Sequence, residues 1–142
     1  MIVPDVNLLL YAVDSSSPHH DSARSWWEAA LRGPEPIGVP WVTVLAFLRL
    51  TTNPRVFARP LKPAQAFDVI EAWTTRPHVV PVEPILRHLQ IVRSLLDAAG
   101  TAGNLVTDAH LAALAIEHGA TLCSADADFS RFPGLRWRNP LT

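Results

Sequence analysis

Thr107-Asp108-Ala109-His110-Leu111-Ala112-Ala113-Leu114-Ala115, followed by Gly119, Thr121-Leu122-Cys123 and Asp126, reads as a helix, a turn and a strand that ends in an aspartate. Thr107 is the expected cap, Asp108 opens the alanine-rich helix and Gly119 closes it. Thr121–Cys123 is a short apolar strand, and Asp126 and Asp128 lie in the turn before Phe129. The same strand-then-aspartate order opens the chain: Ile2-Val3-Pro4, then Asp5, then a short helix over Val6–Val13. Two such units predict parallel strands with helices packed on the sheet.

Working outward, the remaining segments keep that alternation. Asp14-Ser15-Ser16-Ser17-Pro18 is a turn, with Ser17 as the expected N-cap of a helix that starts at Pro18 and runs to about Leu31. Ala23, Trp26, Trp27, Ala30 and Leu31 form its apolar stripe. Ile37–Val39 is a short strand, a helix runs from Trp41 to about Thr52 and stops at Asn53-Pro54, and another runs from Pro63 to Thr74. Val79–Val82 is a strand, and Ile85, Leu89, Val92, Leu96 and Ala99 are spaced for one buried helical stripe. Gly100 to Asn104 is a loop, and Leu135–Arg138 is a last strand. The fold class expected is α/β: a three-layer α/β/α sandwich around a mostly parallel sheet, in one domain spanning residues 1–142.

In such sheets ligands bind at the carboxyl ends of the strands. Asp5 and Asp126 stand at two of those ends, and Asp108 stands at a helix N-terminus, where the dipole favours negative charge. If the strands that carry Asp5 and Asp126 are neighbours, their carboxylates converge. Converging like charges cannot all stay ionised unaided. Oxygen ligands with waters are what Mg²⁺ or Mn²⁺ prefer, so the arrangement points to metal-assisted phosphodiester chemistry. Each aspartate also has a local reading: Asp5 caps the first helix, Asp108 steadies its own, and Asp126 with Asp128 shapes a turn.

Composition narrows the rest. Nearly half of the 142 residues are apolar and the formal net charge is −1, unlike a disordered chain or a strongly basic nucleic-acid module. No apolar run approaches the ~20 residues that span a bilayer, and no basic stretch precedes the first apolar segment, so a cytosolic protein without membrane attachment is expected. Cys123 is the one cysteine, which excludes an internal disulfide, and it sits in a strand where a thiol acts as a small hydrophobe. Eleven of the twelve basic residues are arginine, the side chain suited to bidentate phosphate contacts.

Four segments in this order resemble the PIN-domain nucleases, and within them the VapC-type toxins of bacterial toxin–antitoxin pairs. They are Asp5-Val6-Asn7-Leu8-Leu9, Phe47-Leu48-Arg49-Leu50-Thr51-Thr52-Asn53-Pro54-Arg55, Leu105 through Ala115, and Ser124-Ala125-Asp126-Ala127-Asp128-Phe129. The resemblance covers nearly the whole chain. It implies a Mg²⁺- or Mn²⁺-dependent endoribonuclease, an RNA substrate, a small antitoxin that blocks the site, and a homodimer. It carries Asp5, Asp108 and Asp126 over as metal-binding and catalytic residues. The family's usual glutamate, one turn before the arginine, falls on Ala46, and no carboxylate lies between Glu35 and Asp68. Asp128 or water then fills the gap, and the alternative is a PIN-like binding module with weak or no nuclease activity.

Auxiliary roles follow from position. Asn7 and Ser124 adjoin the carboxylates, where each either holds a carboxylate or a water or serves turn and cap chemistry. Arg49 shares a helix face with Ala46 and reaches a substrate phosphate, a site aspartate or a surface partner. The six histidines lack zinc spacing, and His110 reads as a solvated or capping residue. Trp26, Trp27 and Trp73 read as core, as subunit contacts or as an apolar groove. Two rival chemistries fail. An aspartyl-phosphate phosphatase needs an aspartate at Asn7, and a signal-receiver domain needs a lysine at the site, where the only one, Lys62, lies in a Pro-flanked loop.

Overall fold

The computed structural model describes all of residues 1–142. Five strands, β1 (Ile2–Pro4), β2 (Ile37–Val39), β3 (Val79–Pro81), β4 (Thr121–Cys123) and β5 (Trp137–Arg138), form one sheet in the order β3-β2-β1-β4-β5. Every pairing is parallel, with Ile2 opposite Ile37 on one side and Val3 opposite Leu122 on the other. The sheet is thus all-parallel. Six helices cover it: α1 (Val6–Val13), α2 (His20–Arg32), α3 (Trp41–Thr51), α4 (Pro63–Thr74), α5 (His88–Ala99) and α6 (Val106–Glu117). None is long and apolar enough to cross a membrane.

Period-two alternation divides the core into two layers. Ile2, Ile37, Val39, Val79 and Cys123 face a cluster built from α1 to α4 that includes Leu8, Leu9, Trp27 and Phe47. Val3 and Leu122 face the opposite cluster, with Leu95 of α5, the alanines of α6, Phe129 and Phe132. Cys123 is buried in β4 as a small apolar side chain. Trp73 packs edge-on against Trp27 at 5.3 Å and Phe47 at 5.1 Å between centroids, so these tryptophans are core rather than an open groove. α6 is buried almost all round, which its small residues permit. Gly119, at φ +61°, ends it in a Schellman motif, with the Ala120 N–H donating to Ala115 O and the Gly119 N–H to Ile116 O.

Several boundaries differ from the sequence reading. α2 starts at His20, not Pro18. Ser17 Oγ accepts the His19 N–H and Asp14 Oδ1 accepts the Ser16 N–H, so local side-chain turns extend the loop before helix can form. α5 starts at His88, and its buried face carries Leu95, with Ile91, Val92, Leu96 and Ala99 partly buried beside it. Ile85 and Leu89, placed in the buried stripe, are exposed, because the helix starts later than the stripe assumed and α6 meets a different face. Thr107 does not cap α6. A 3₁₀ turn over Gly103–Leu105 runs directly into the helix, which puts Thr107 inside its first turn.

Candidate active site

The strand order reverses at β1: β2 and β3 lie to one side, β4 and β5 to the other. That is a topological switch point, where the connections leaving adjacent strand ends diverge and open a crevice. Asp5 follows β1 directly, and Ser124 follows β4 directly, so the parallel register places their backbones side by side. The Asp5 N–H donates to Cys123 O at 2.8 Å, continuing the ladder one residue past the strands.

Asp5 is held at both oxygens. Oδ1 accepts the Val6 N–H at 2.7 Å as the N-cap of α1, and Oδ2 accepts the Ser124 hydroxyl at 2.7 Å. The capping and site readings of Asp5 therefore coexist in one side chain. Ser124 is fully buried, and its Oγ also accepts from the Asp126 N–H at 3.0 Å and from Asn7 Nδ2 at 3.3 Å. Asn7 Oδ1 is left buried without a hydrogen-bond partner. Asp126 Oδ1 accepts the Asp128 N–H at 2.8 Å, which sets the turn that carries both carboxylates.

Asp108 approaches from α6. A cleft of ≈ 50 Å³ is lined by Asp5, Val6, Val42, Thr43, Ala46, Thr107, Asp108 and Leu111. Burial pushes the Asp5 carboxyl above its ordinary range, against the lowering effect of the bonds from Ser124 and Val6, and the charge of Asp126 adds to the rise. Asp108 is pushed up to about 6, by burial first and then by the charges of Asp5, Asp126 and Asp128. The three sequence-predicted aspartates therefore feel one another, with Asp128 as an exposed fourth charge.

A divalent cation suits this donor set. The groups are hard oxygens, and their mutual repulsion is not relieved by any ion pair. No three carboxylate, histidine or cysteine side chains are drawn as close together as the ligands of one metal ion. Ala46 does line the cleft, on the wall where the family resemblance places a carboxylate. Arg49, one turn beyond it on α3, is exposed and forms no ion pair. A larger hollow of ≈ 270 Å³, between Val39, Trp41, Ile70 and Pro81, has no titratable side chain in its lining, so size does not mark the site.

Two features escaped the sequence reading. Thr43, buried on α3, donates to Pro4 O at 3.5 Å and so ties α3 to the end of β1. His110 is not a solvated or capping residue: its Nδ1 lies 2.7 Å from His88 Nε2, and His88 Nδ1 lies 2.5 Å from Glu117 Oε1. Burial and then the charge of His88 push His110 below the ordinary imidazole value, while Glu117 pulls the other way. The seven-residue spacing of His110 and Glu117, two helical turns, was the signal available for their shared face.

A model of the PIN domain matches residues 2–135. The chain is 46% identical over 140 residues to Ribonuclease VapC37 of Mycobacterium tuberculosis, covering 99% of this chain and 97% of the relative. It is 44% identical over 141 residues to Ribonuclease VapC33 of the same species, covering 99% of each. Among solved structures, VapBC-1 from nontypeable Haemophilus influenzae superposes with a TM-score of 0.70 over 100% of both chains at 18% identity.

Proposed function

The chain belongs to the PIN-domain family, among its VapC ribonucleases, and on that premise we propose that it is a divalent-metal-dependent endoribonuclease, the toxin of a toxin–antitoxin pair. The observation that carries the reading is the convergence of Asp5, Asp108 and Asp126 at the β1/β4 switch point, with Asp108 pushed up to about 6 by its neighbours.

Asp5, Asp108 and Asp126 are the residues that would hold the cation. When bound, Mg²⁺ or Mn²⁺ supplies acidification of a water and neutralisation of charge on the scissile phosphate. The chain's own residues do the positioning. Ser124 holds Asp5 Oδ2 and the Asp126 backbone with one hydroxyl, so two metal-binding positions share one anchor. Asn7 Nδ2 donates to that hydroxyl at 3.3 Å and helps fix its orientation. The Asp126–Asp128 turn keeps a further negative charge nearby in place of the carboxylate missing at Ala46. Arg49, exposed and unpaired on α3, supplies a phosphate contact at the cleft's α3 side.

The VapBC complex among the fold neighbours, with the VapC relatives, supports a small antitoxin protein as partner. RNA is the substrate, the homodimer is the expected assembly, and the cytoplasm is the expected compartment. A second reading, a PIN-like binding module with weak or no nuclease activity, is favoured by one observation: the cleft wall at Ala46 carries no carboxylate.

The deciding experiment is cleavage of a labelled structured RNA by antitoxin-free protein, with Mg²⁺, with Mn²⁺ and with chelator, beside Asp5→Ala. Metal-dependent cutting that the variant loses establishes the nuclease. A folded protein that cuts in neither metal favours the binding module, or a nuclease crippled by the missing carboxylate at Ala46.

A further inference from the structure

α1 and α3 pack side by side and lead from the carboxylate cleft to a second pocket. Asp5 and Val6, at the start of α1, line the cleft with Val42, Thr43 and Ala46 of the first half of α3. At the far end, residues 13–16 line a pocket of ≈ 380 Å³ with residues 57–59 and Leu61, from the loop that follows α3. That volume is within the roughly 300–1,000 Å³ of ligand pockets. The helix between the two sites, α1, has eight residues. It therefore spans about 12 Å, so one strand of RNA can reach both.

Both walls of the pocket are fixed by their own hydrogen bonds. Asp14 Oδ1 accepts the Ser16 N–H at 3.0 Å and the Ser16 hydroxyl at 2.6 Å, and Oδ2 takes no part in these bonds. Opposite, Asn53 Oδ1 accepts the Arg55 N–H at 2.9 Å and the Leu61 N–H donates to Thr51 O at 2.8 Å. Phe57 is buried, so this loop is closed at its base and pinned near its middle. The pocket is formed before any ligand arrives.

Its charges are unspent. From Pro36 to Phe67 the chain has four cations, Arg49, Arg55, Arg59 and Lys62, and no carboxylate, although the whole chain carries −1. All four are exposed and none is in an ion pair. They make a positive stripe from the cleft wall at Ala46, past Arg49, to the pocket. Arg59 and Asp14 line the same pocket and do not pair with each other. A ligand that satisfies both offers an anion and an N–H donor. A nucleotide does: its phosphate suits the guanidinium fork, and an amino group on its base suits the carboxylate. The apolar side chains of Val13, Ala58 and Leu61 supply a surface for the base.

We propose that this pocket is a second RNA subsite, which takes one nucleotide a short way along the strand from the scissile bond. Arg59 holds its phosphate, and Asp14 selects a base with an exocyclic amino group over uracil. The inference rests on the ribonuclease reading and adds a specificity determinant to it. Cytosine and adenine present an amino donor where uracil presents a carbonyl oxygen, which a carboxylate repels. A positive stripe that ends in an unpaired acid and base suits a nucleotide rather than the apolar face of a partner helix.

The test uses the full chain carrying Asp5→Asn to stop cleavage, with short single-stranded homopolymers of cytidine, adenosine and uridine at neutral pH. Arg59→Gln should weaken binding to all three about three- to tenfold and lower the salt slope by about 0.7, the share of one phosphate on a single strand. Asp14→Asn removes a negative charge and strengthens all three alike, so the affinity ratio isolates the base contact. The preference for cytidine or adenosine over uridine should fall about tenfold in that variant. An unchanged ratio in Asp14→Asn, or an unchanged salt slope in Arg59→Gln, overturns the inference and leaves the ribonuclease reading intact. Unchanged RNA binding with weakened antitoxin binding in either variant overturns it in favour of the partner. No RNA binding by the parent overturns the subsite, and joined with no cutting by wild type it overturns the ribonuclease reading as well.

Discussion

Ser124 donates its hydroxyl to Asp5 across 119 residues of chain, at 2.7 Å, and does so from a fully buried position. The same oxygen accepts from Asp126 N and Asn7 Nδ2, so it is the point at which β1, α1 and β4 are locked together. Ser124→Ala should leave the Asp5 oxygen and two donors without their partner, lowering stability by ~1–3 kcal/mol. It should also weaken Mg²⁺ binding or activity about 10- to 100-fold, the usual effect of losing an outer partner of a metal site. Thermal melting and metal titration of the same variant measure both.

Asp108→Asn should abolish cleavage and yet stabilise the metal-free protein at neutral pH. The folded-state carboxyl sits at about 6 against an ordinary 3.8, so folding binds its proton more tightly than the unfolded chain does. A raised carboxyl favours the folded state at low pH, and stability is lost as pH rises from about 4 through about 6. The melting-temperature advantage of the variant, measured in chelator, should therefore grow across that window and level off above it. Saturating Mg²⁺ should erase it. An advantage that is constant with pH would refute the carboxylate-repulsion account.

Ala46→Glu places a carboxylate on the cleft wall facing Asp5 and Asp108. Cleavage should then reach half-maximal rate at a lower Mg²⁺ concentration than in wild type, while the metal-free variant melts lower because a further like charge joins the cluster. Metal-dependence curves run side by side with melts in chelator test both halves.

Gly38→Ala tests how closely β2 packs into the core layer on the α5/α6 side of the sheet. A Cβ there would stand 2.7 Å from Val82 Cγ1 and 3.0 Å from Met1 Sδ on the α5/α6 side of the sheet. The strain of overpacking predicts a loss of ~1–3 kcal/mol, seen as a lower denaturation midpoint, with activity retained where the protein is folded.

Much of the architecture was written locally. Alternation placed Ile2 and Val3 on opposite faces, Gly119 marked the end of α6, and an aspartate after each of β1 and β4 marked the crevice, because strand period, helix ends and turns depend on near neighbours. What the sequence determined by itself was therefore the set of elements, the α/β class and the identity of the three converging aspartates. Tertiary structure decided the rest. The order β3-β2-β1-β4-β5 makes β1 and β4 neighbours, and only that order brings Ser124 to Asp5. The rotation of α5 against α6 exposed Leu89, buried Leu95 and turned His88 between Glu117 and His110, where the sequence reading had placed a solvated ring. Such pairings are selected by the packing of whole faces, and no local propensity in α5 or α6 encodes which turn meets which.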